Sequence, residues 1–235
     1  VEGIRALGIR GVNVTIPHKE RVMEFLDELD ETARVLGAVN TILNNNGILT
    51  GYNTDVAGFI TSLEFDTGIT AYERTALVVG AGGAARAVVY GLAVGGARRI
   101  IIANRTQSRA EALAQGLAPV CPDVEIKAIA LDSSLMEGYL EKADILVNAT
   151  SLGMEGRGRL ELPLQALNKK AVVSDIVYTP METELIKKSR GLGLATHSGL
   201  GMLVCQGAMS FELWTGRKAP VEVMKKAALK ALGRD

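Results

Sequence analysis

The sequence predicts an α/β fold: a doubly wound parallel sheet, beside a smaller α/β domain that helices at the C-terminal end complete. Three observations predict it. From Thr75 onward, short apolar runs alternate with helical patterns, the rhythm of βαβ units feeding a parallel sheet. The first of those runs, Leu77-Val78-Val79, ends in a glycine turn that opens a small-residue helix. Before residue 70 the texture differs, with short strands, an Asn-rich hairpin signal and polar residues gathered at strand ends. The expected division is therefore 1–70 for the smaller domain, 71–198 for the parallel sheet and 199–235 for helices returning to the smaller domain.

Taken in order, Val1 to Arg5 reads as the middle of a helix with no initiator methionine, and a preceding segment is expected to be absent. Gly11 to Ile16 is a strand closed by Pro17. His18 to Leu29 has helical spacing, with Val22, Met23, Phe25, Leu26 and Leu29 on one stripe. Asp30 to Leu36 is a short helix ended by Gly37. Strands at 39–43 and 48–52 flank Asn44-Asn45-Asn46-Gly47, whose residues tolerate the positive φ of a tight hairpin. Thr54 is placed to cap a helix carrying Phe59, Ile60 and Leu63. Strands then follow at 75–79, 99–103, 124–129, 144–148, 171–174 and 193–196, with helices at 83–95, 106–116, 133–141 and 183–190. From Gly199 one helical face carries Met202, Leu203, Gln206, Met209 and Leu213, and Val221 to Leu232 forms a last helix.

Composition narrows the function. With 26 basic and 26 acidic residues the net charge is zero, which argues against a nucleic-acid or membrane-surface partner. No apolar run approaches the roughly 20 residues that span a bilayer, so a cytoplasmic enzyme is expected, with a homodimer left open. Cys121 and Cys205 lack metal-ligand spacing, Cys205 reads as a buried thiol, and with two histidines no metal site is expected. His18 and His197 read as surface or supporting polar residues.

The glycine turn carries the first chemistry. It reads Gly80-Ala81-Gly82-Gly83-Ala84-Ala85. Gly80 permits the strand-to-helix turn, Gly82 lets backbone approach a pyrophosphate, and Ala85 stands where the third glycine packs helix on sheet. Free N–H groups from Gly83 to Arg86, backed by the helix dipole, face the phosphates. This is a Rossmann-type dinucleotide site. At the end of the next strand, where an acid would bind the ribose hydroxyls, stand Asn104, Arg105 and Thr106, with Arg109 close behind. Two guanidiniums and a hydroxyl suit a ribose 2′-phosphate, which points to NADP rather than NAD. The plainer alternative makes Thr106 a helix cap and the arginines solvated surface.

Six ordered segments then carry a resemblance: Asn13-Val-Thr-Ile-Pro-His-Lys19, Gly37-Ala-Val-Asn-Thr41, Gly51-Tyr-Asn-Thr-Asp55 with Gly58, the Gly80 turn with Asn104-Arg-Thr106, Asn148-Ala-Thr-Ser-Leu-Gly-Met154, and Gly199-Leu-Gly-Met-Leu-Val-Cys-Gln206. Over essentially the whole chain the sequence resembles the shikimate dehydrogenase family. The resemblance implies reversible NADPH-dependent reduction of 3-dehydroshikimate to shikimate, on the route to chorismate and the aromatic amino acids. It places the catalytic pair on Lys19 and Asp55, leaving the formal acid and base open. Lys19, read as opening a helix, is expected to have a lowered pKa, and Asp55 in a first turn a favoured carboxylate. Ring contacts carry over to Thr15, Lys19, Asn40, Asp55, Tyr178 and Gln206. On the cofactor side the resemblance adds Ile176, Gly199 and Glu31. Met154 and Met202 are candidates to pack near the nicotinamide, the plainer alternative being core. The family's Ser-x-Ser carboxylate-binding element has no counterpart before Gly11. The plainer reading of the pair makes Lys19 a surface helix residue and Asp55 a mere capping residue. Two alternatives stay open for the whole chain: a quinate/shikimate dehydrogenase, and a non-catalytic NADP-binding module such as a regulatory paralogue or a fragment.

Overall fold

The computed structural model describes residues 1–15, 17–155 and 157–233, with every side chain among them except those of 133–135. The first part contains α1 (Glu2–Ala6), β1 (Gly11–Asn13), β2 (Glu28–Leu29), α2 (Glu31–Leu36), β3 (Thr41–Asn45) and β4 (Ile48–Tyr52). Its strands form a sheet in the order β1-β3-β4-β2, with β2 alone running parallel to its neighbour. The β3–β4 hairpin turns at Asn46 (φ 52°) and Gly47 (φ 93°). Two consecutive positive φ values match the strand twist, as the sequence predicts. Asp30 caps α2 by accepting from the Thr32 and Ala33 N–H groups, and Gly37 closes it at φ 61°.

The remaining elements are α3 (Asp55–Thr67), β5 (Thr75–Val79), α4 (Gly83–Val94), β6 (Arg99–Asn104), α5 (Gln107–Leu117), β7 (Glu125–Ala130), α6 (Ser133–Leu140), β8 (Ile145–Asn148), β9 (Val172–Asp175), α7 (Glu184–Gly191), β10 (Ala195–Ser198), α8 (Gly199–Thr215) and α9 (Val221–Ala231). The six strands are parallel, in the order β10-β9-β8-β5-β6-β7. Strand order reverses between β5 and β8, and ligands of such sheets bind in the crevice at the carboxyl ends there. Alternate residues face opposite layers. Val78, Ile100 and Ile102 pack with Val88, Leu92 and Leu113, while Leu77, Ile101 and Leu146 pack with Met136, Leu140 and Leu185. Burial on both faces explains why these strands read as unbroken apolar runs. Among the described residues no helix is long and apolar enough to cross a membrane.

Helix α3 connects the two sheets. It starts at the small sheet, inserts Phe59 and Leu63 into the core of the large one, and packs along α4 and α8. His197 on β10 fixes it there: Nδ1 lies 2.8 Å from Ser174 Oγ on β9, and Nε2 3.0 Å from Ser62 Oγ on α3. His197 is therefore a core residue, 1% exposed, rather than a surface one. Burial lowers its pKa to about 4.

The predicted helix over 18–29 is not formed. Arg21–Phe25 makes a 3₁₀ turn, and Glu28–Leu29 becomes β2. Asp27 explains the outcome, because its N–H donates to Leu49 O and its Oδ2 accepts from Leu49 N–H at 2.7 Å. Gly51 leaves room for Leu26 and Leu29, where a Cβ would lie 2.6 and 3.0 Å from their methyl carbons. A sheet edge thus overrides a helical period. The first predicted strand ends at Asn13, and its expected end at Ile16 lies outside the described residues. Cys205 is half-buried, not buried as expected.

Candidate active site

Asn40 organises the floor of the cleft. Its N–H donates to Tyr52 O at 3.0 Å and its carbonyl accepts from Val14 N–H at 2.7 Å, so its backbone is stitched to chain on either side. The side chain is spent locally: Oδ1 accepts from Thr54 N–H at 2.8 Å, and Nδ2 donates to Asp55 Oδ1 at 2.9 Å. Thr54 stands at the N-cap position of α3, but its side chain makes no capping bond. Instead Asn53 Oδ1 accepts from Asp55 N–H at 3.1 Å. The hydroxyl of Thr54 lies 3.0 Å from Asn40 Nδ2.

Lys19 meets the other oxygen of Asp55, Nζ to Oδ2, at 2.6 Å. With both carboxylate oxygens held, the plane of Asp55 is fixed before any ligand arrives. The side chains are 26% and 15% exposed, so this pair is less screened than a surface one. Lys19 does not open a helix, contrary to expectation. It lies in a turn before the 3₁₀ segment, and its carbonyl accepts from Val39 N–H at 2.8 Å. The expected helix start is not there, and the position of Lys19 comes from the Val39 contact and the ion pair.

Beneath this floor lies Ser210, fully buried on α8, which the sequence reading missed. Its Oγ is 2.7 Å from Thr41 Oγ1, accepts from Asn13 Nδ2 at 3.0 Å and donates to Gln206 O at 3.0 Å. One serine in an apolar helix carries no sequence signal.

The pair lines a cavity of about 330 Å³ with Thr15, Asn40, Tyr178 and Gln206, the other expected ring contacts, and with Asn13, Val14 and Leu203. Ala84, Ile176, Gly199 and Met202 line it from the side of the large sheet. A Cβ on Gly199 would lie 2.1 Å from Ile176 O, so glycine is what lets α8 start against that backbone. Met154 and Glu31 are not brought to this cavity; Met154 is exposed, and Glu31 stands exposed in the first turn of α2.

The nucleotide turn fits a phosphate-bearing dinucleotide. Gly80 has φ 120°, and a Cβ there would lie 2.8 Å from Ala149 O. Gly82 and Gly83 face open space where Cβ atoms would stand, and Ala81 leads into them. The first helical bond runs from Arg86 N–H to Gly82 O. Arg86 is thus spent, and the N–H groups of Gly83, Ala84 and Ala85 have no acceptor within the helix. At the end of β6, Asn104 Nδ2 donates to Thr106 O at 2.8 Å, shaping the turn. Thr106 occupies the N-cap position of α5 with no side-chain capping bond. Arg105 and Arg109 are exposed and have no ion-pair partner among the described residues.

Three family models match the chain in succession: the shikimate dehydrogenase substrate binding domain over residues 1–42, shikimate / quinate 5-dehydrogenase over 64–176, and the shikimate 5'-dehydrogenase C-terminal domain over 199–229. The shikimate dehydrogenase (NADP(+)) of Symbiobacterium thermophilum is 49% identical, with 99% of this chain and 79% of that protein covered. The chain belongs to the shikimate dehydrogenase family.

Solved structures of shikimate dehydrogenase relatives share its backbone. Shikimate 5-dehydrogenase from Thermus thermophilus, in complex with NADP(H) and shikimate, matches with TM-score 0.84 and 38% identity, over 98% of this chain and 82% of that one. Quinate dehydrogenase from Corynebacterium glutamicum, in complex with NAD, matches with TM-score 0.90 and 36% identity, over 97% and 80%. Backbone likeness therefore does not separate the two substrates, and side chains must.

The reading of the sequence also missed Asp175, a fully buried carboxylate at the end of β9. An acid closing the run Val172-Val173-Ser174 was the available signal.

Proposed function

We propose that this chain catalyses the reversible NADP-dependent interconversion of 3-dehydroshikimate and shikimate, with Lys19 and Asp55 handling the proton. The observation that carries this reading is the Lys19–Asp55 pair at 2.6 Å, in a cavity whose other wall includes Ala84 and Ile176 of the nucleotide half. A bound nicotinamide supplies the hydride acceptor in oxidation and the hydride donor in reduction. Lys19 Nζ and Asp55 Oδ2 hold the substrate oxygen and take or return its proton as the adjacent carbon changes oxidation state. Asn40 keeps Asp55 oriented, so its carboxylate needs no reorganisation during the step.

Thr15, Tyr178 and Gln206 supply convergent polar groups for the hydroxylated ring. Gly80 to Ala84 cradle the pyrophosphate, and Asn104, Arg105, Thr106 and Arg109 take the 2′-phosphate; Ile176 and Gly199 abut the nicotinamide end. Glu31 is kept as a more distant cofactor-side residue. In the same reading, residues 1–70 with 199–235 form the substrate domain and 71–198 the NADP domain. A cytoplasmic location belongs to the proposal, and oligomeric state is left to sedimentation velocity.

The test is NADP reduction followed by absorbance with shikimate and then quinate. Shikimate is expected to be oxidised with NADP preferred over NAD, and Lys19→Ala to lower kcat by about 10²–10⁴-fold. Equal rates with quinate would shift the assignment to a quinate/shikimate enzyme. Cofactor binding without turnover would leave the non-catalytic reading.

A further inference from the structure

One buried charge in the molecule takes no part in the chemistry derived so far. Asp175 ends β9 with no exposed surface. No salt bridge reaches it among the described residues, and burial raises its pKa against the pull of its hydrogen bonds. A buried carboxylate without a counter-ion is costly unless its lone pairs are occupied.

They are occupied by three donors on separate pieces of chain. Oδ1 accepts from Asn148 Nδ2 at 2.9 Å and from Val177 N–H at 3.1 Å. Oδ2 accepts from Thr183 Oγ1 at 2.6 Å. Each donor secures something further. Asn148 Nδ2 also donates to Leu152 O, and its Oδ1 accepts from Thr150 N–H and Oγ1, fixing the loop after β8. That loop brings Ala149 O against Gly80. Thr183 accepts from Ile186 N–H and caps α7. Val177 lies between Ile176 and Tyr178, the two residues of this segment that line the cleft.

We propose that Asp175 is the positioning residue for the cleft-facing segment Ile176 to Tyr178. The carboxylate gathers the loop after β8, the N-cap of α7 and the Val177 N–H onto one point. Ile176 and Tyr178 can then be presented on opposite sides of a residue whose backbone is pinned. Tyr178 is 43% exposed and makes no side-chain hydrogen bond among the described residues, so its backbone must supply the placement. Asp175 does not line the cavity and acts only through the segment it holds. The assignment rests on the dehydrogenase reading of the cleft.

The experiment compares wild type, Asp175→Ala and Asp175→Asn. Asparagine can keep Oδ1 accepting from Asn148 and Val177 while its Nδ2 donates to the second lone pair of Thr183 Oγ1. It should therefore act as the rescuing variant. Each is purified in folded form, and NADP reduction is measured against shikimate concentration alongside direct NADP binding. Asp175→Ala is expected to raise KM for shikimate and lower kcat, each on the order of tenfold, since a small misplacement of a binding group is amplified in rate. NADP affinity, set largely at the β6 end, should change much less, and Asp175→Asn should return most of both parameters. Should Asp175→Ala not fold, Thr183→Val, which removes one donor, is measured instead and must show the same split in milder form.

An unaltered KM and kcat per folded molecule in Asp175→Ala, or in Thr183→Val, would overturn the proposal. So would an asparagine variant as impaired as alanine. A wild type inactive on shikimate would instead overturn the function from which the proposal starts.

Discussion

The floor of the cleft and the end of β6 solve opposite problems. Lys19, Asp55, Asn40 and Thr54 are bound to one another before any ligand is present, whereas Arg105 and Arg109 have no ion-pair partner among the described residues. Under the proposed function, the difference follows from what each region must do. A proton moves efficiently only between groups already in register, and a carboxylate free to rotate would lose that advantage in each turnover. An exposed phosphate asks only for nearby charge. Solvated guanidiniums cost little while they wait and form charge-assisted bonds when the ligand arrives. Rigidity is therefore expected where bonds change, and freedom where affinity alone is needed.

The framework below α3 offers the largest test of the rigid side. His197 ties α3 to β9, and its pKa falls from the ordinary 6.5 to about 4 because burial disfavours the charged ring. A folded-state pKa below the unfolded one gives stability that is complete above 6.5 and lost as pH falls toward about 4. Over that window wild type should lose on the order of 3 kcal/mol more than His197→Gln. Urea midpoints across the range measure it. Asp175 works in the opposite sense, because its raised pKa favours the native state at low pH, and the wild-type-to-variant difference removes its contribution. Parallel curves for the two proteins would mean that His197 is not held neutral.

The free side makes a smaller and differently shaped prediction. Arg105→Ala should weaken NADP binding by about 1.5–3 kcal/mol, roughly 10- to 150-fold, the usual scale for a hydrogen bond to a charged group. NAD affinity and kcat at saturating cofactor should stay near wild type, as fluorescence titration and steady-state rates would show. An equal loss for both nucleotides would mean that Arg105 shapes the turn instead of reading the phosphate.

Much of this contrast was legible in the sequence, for physical reasons. Asn46-Gly47, Asp30 and Gly37 are local signals whose conformational demands hardly depend on the rest of the chain. The inner strands β5, β6, β8 and β9 read clearly because a parallel sheet covered on both faces leaves no polar alternation to blur them. Segment 18–29 misled because its apolar spacing fits a helix, while Asp27, 22 residues from Leu49, decides for a strand. Ser210, Asp175 and His197 were missed or underrated for a related reason. Ser210 stands among apolar neighbours while Asp175 and His197 stand beside other polar residues, and the value of each lies in partners on other elements.

Whether Lys19 and Asp55 act as one unit is best decided by a double-mutant cycle on NADP reduction by shikimate, using Lys19→Met, Asp55→Asn and the double variant, each with NADP binding checked. Either single change is expected to cost nearly as much rate as both together, because groups that serve one proton transfer are non-additive. Additive losses, or an Asp55→Asn enzyme close to wild-type speed, would contradict it.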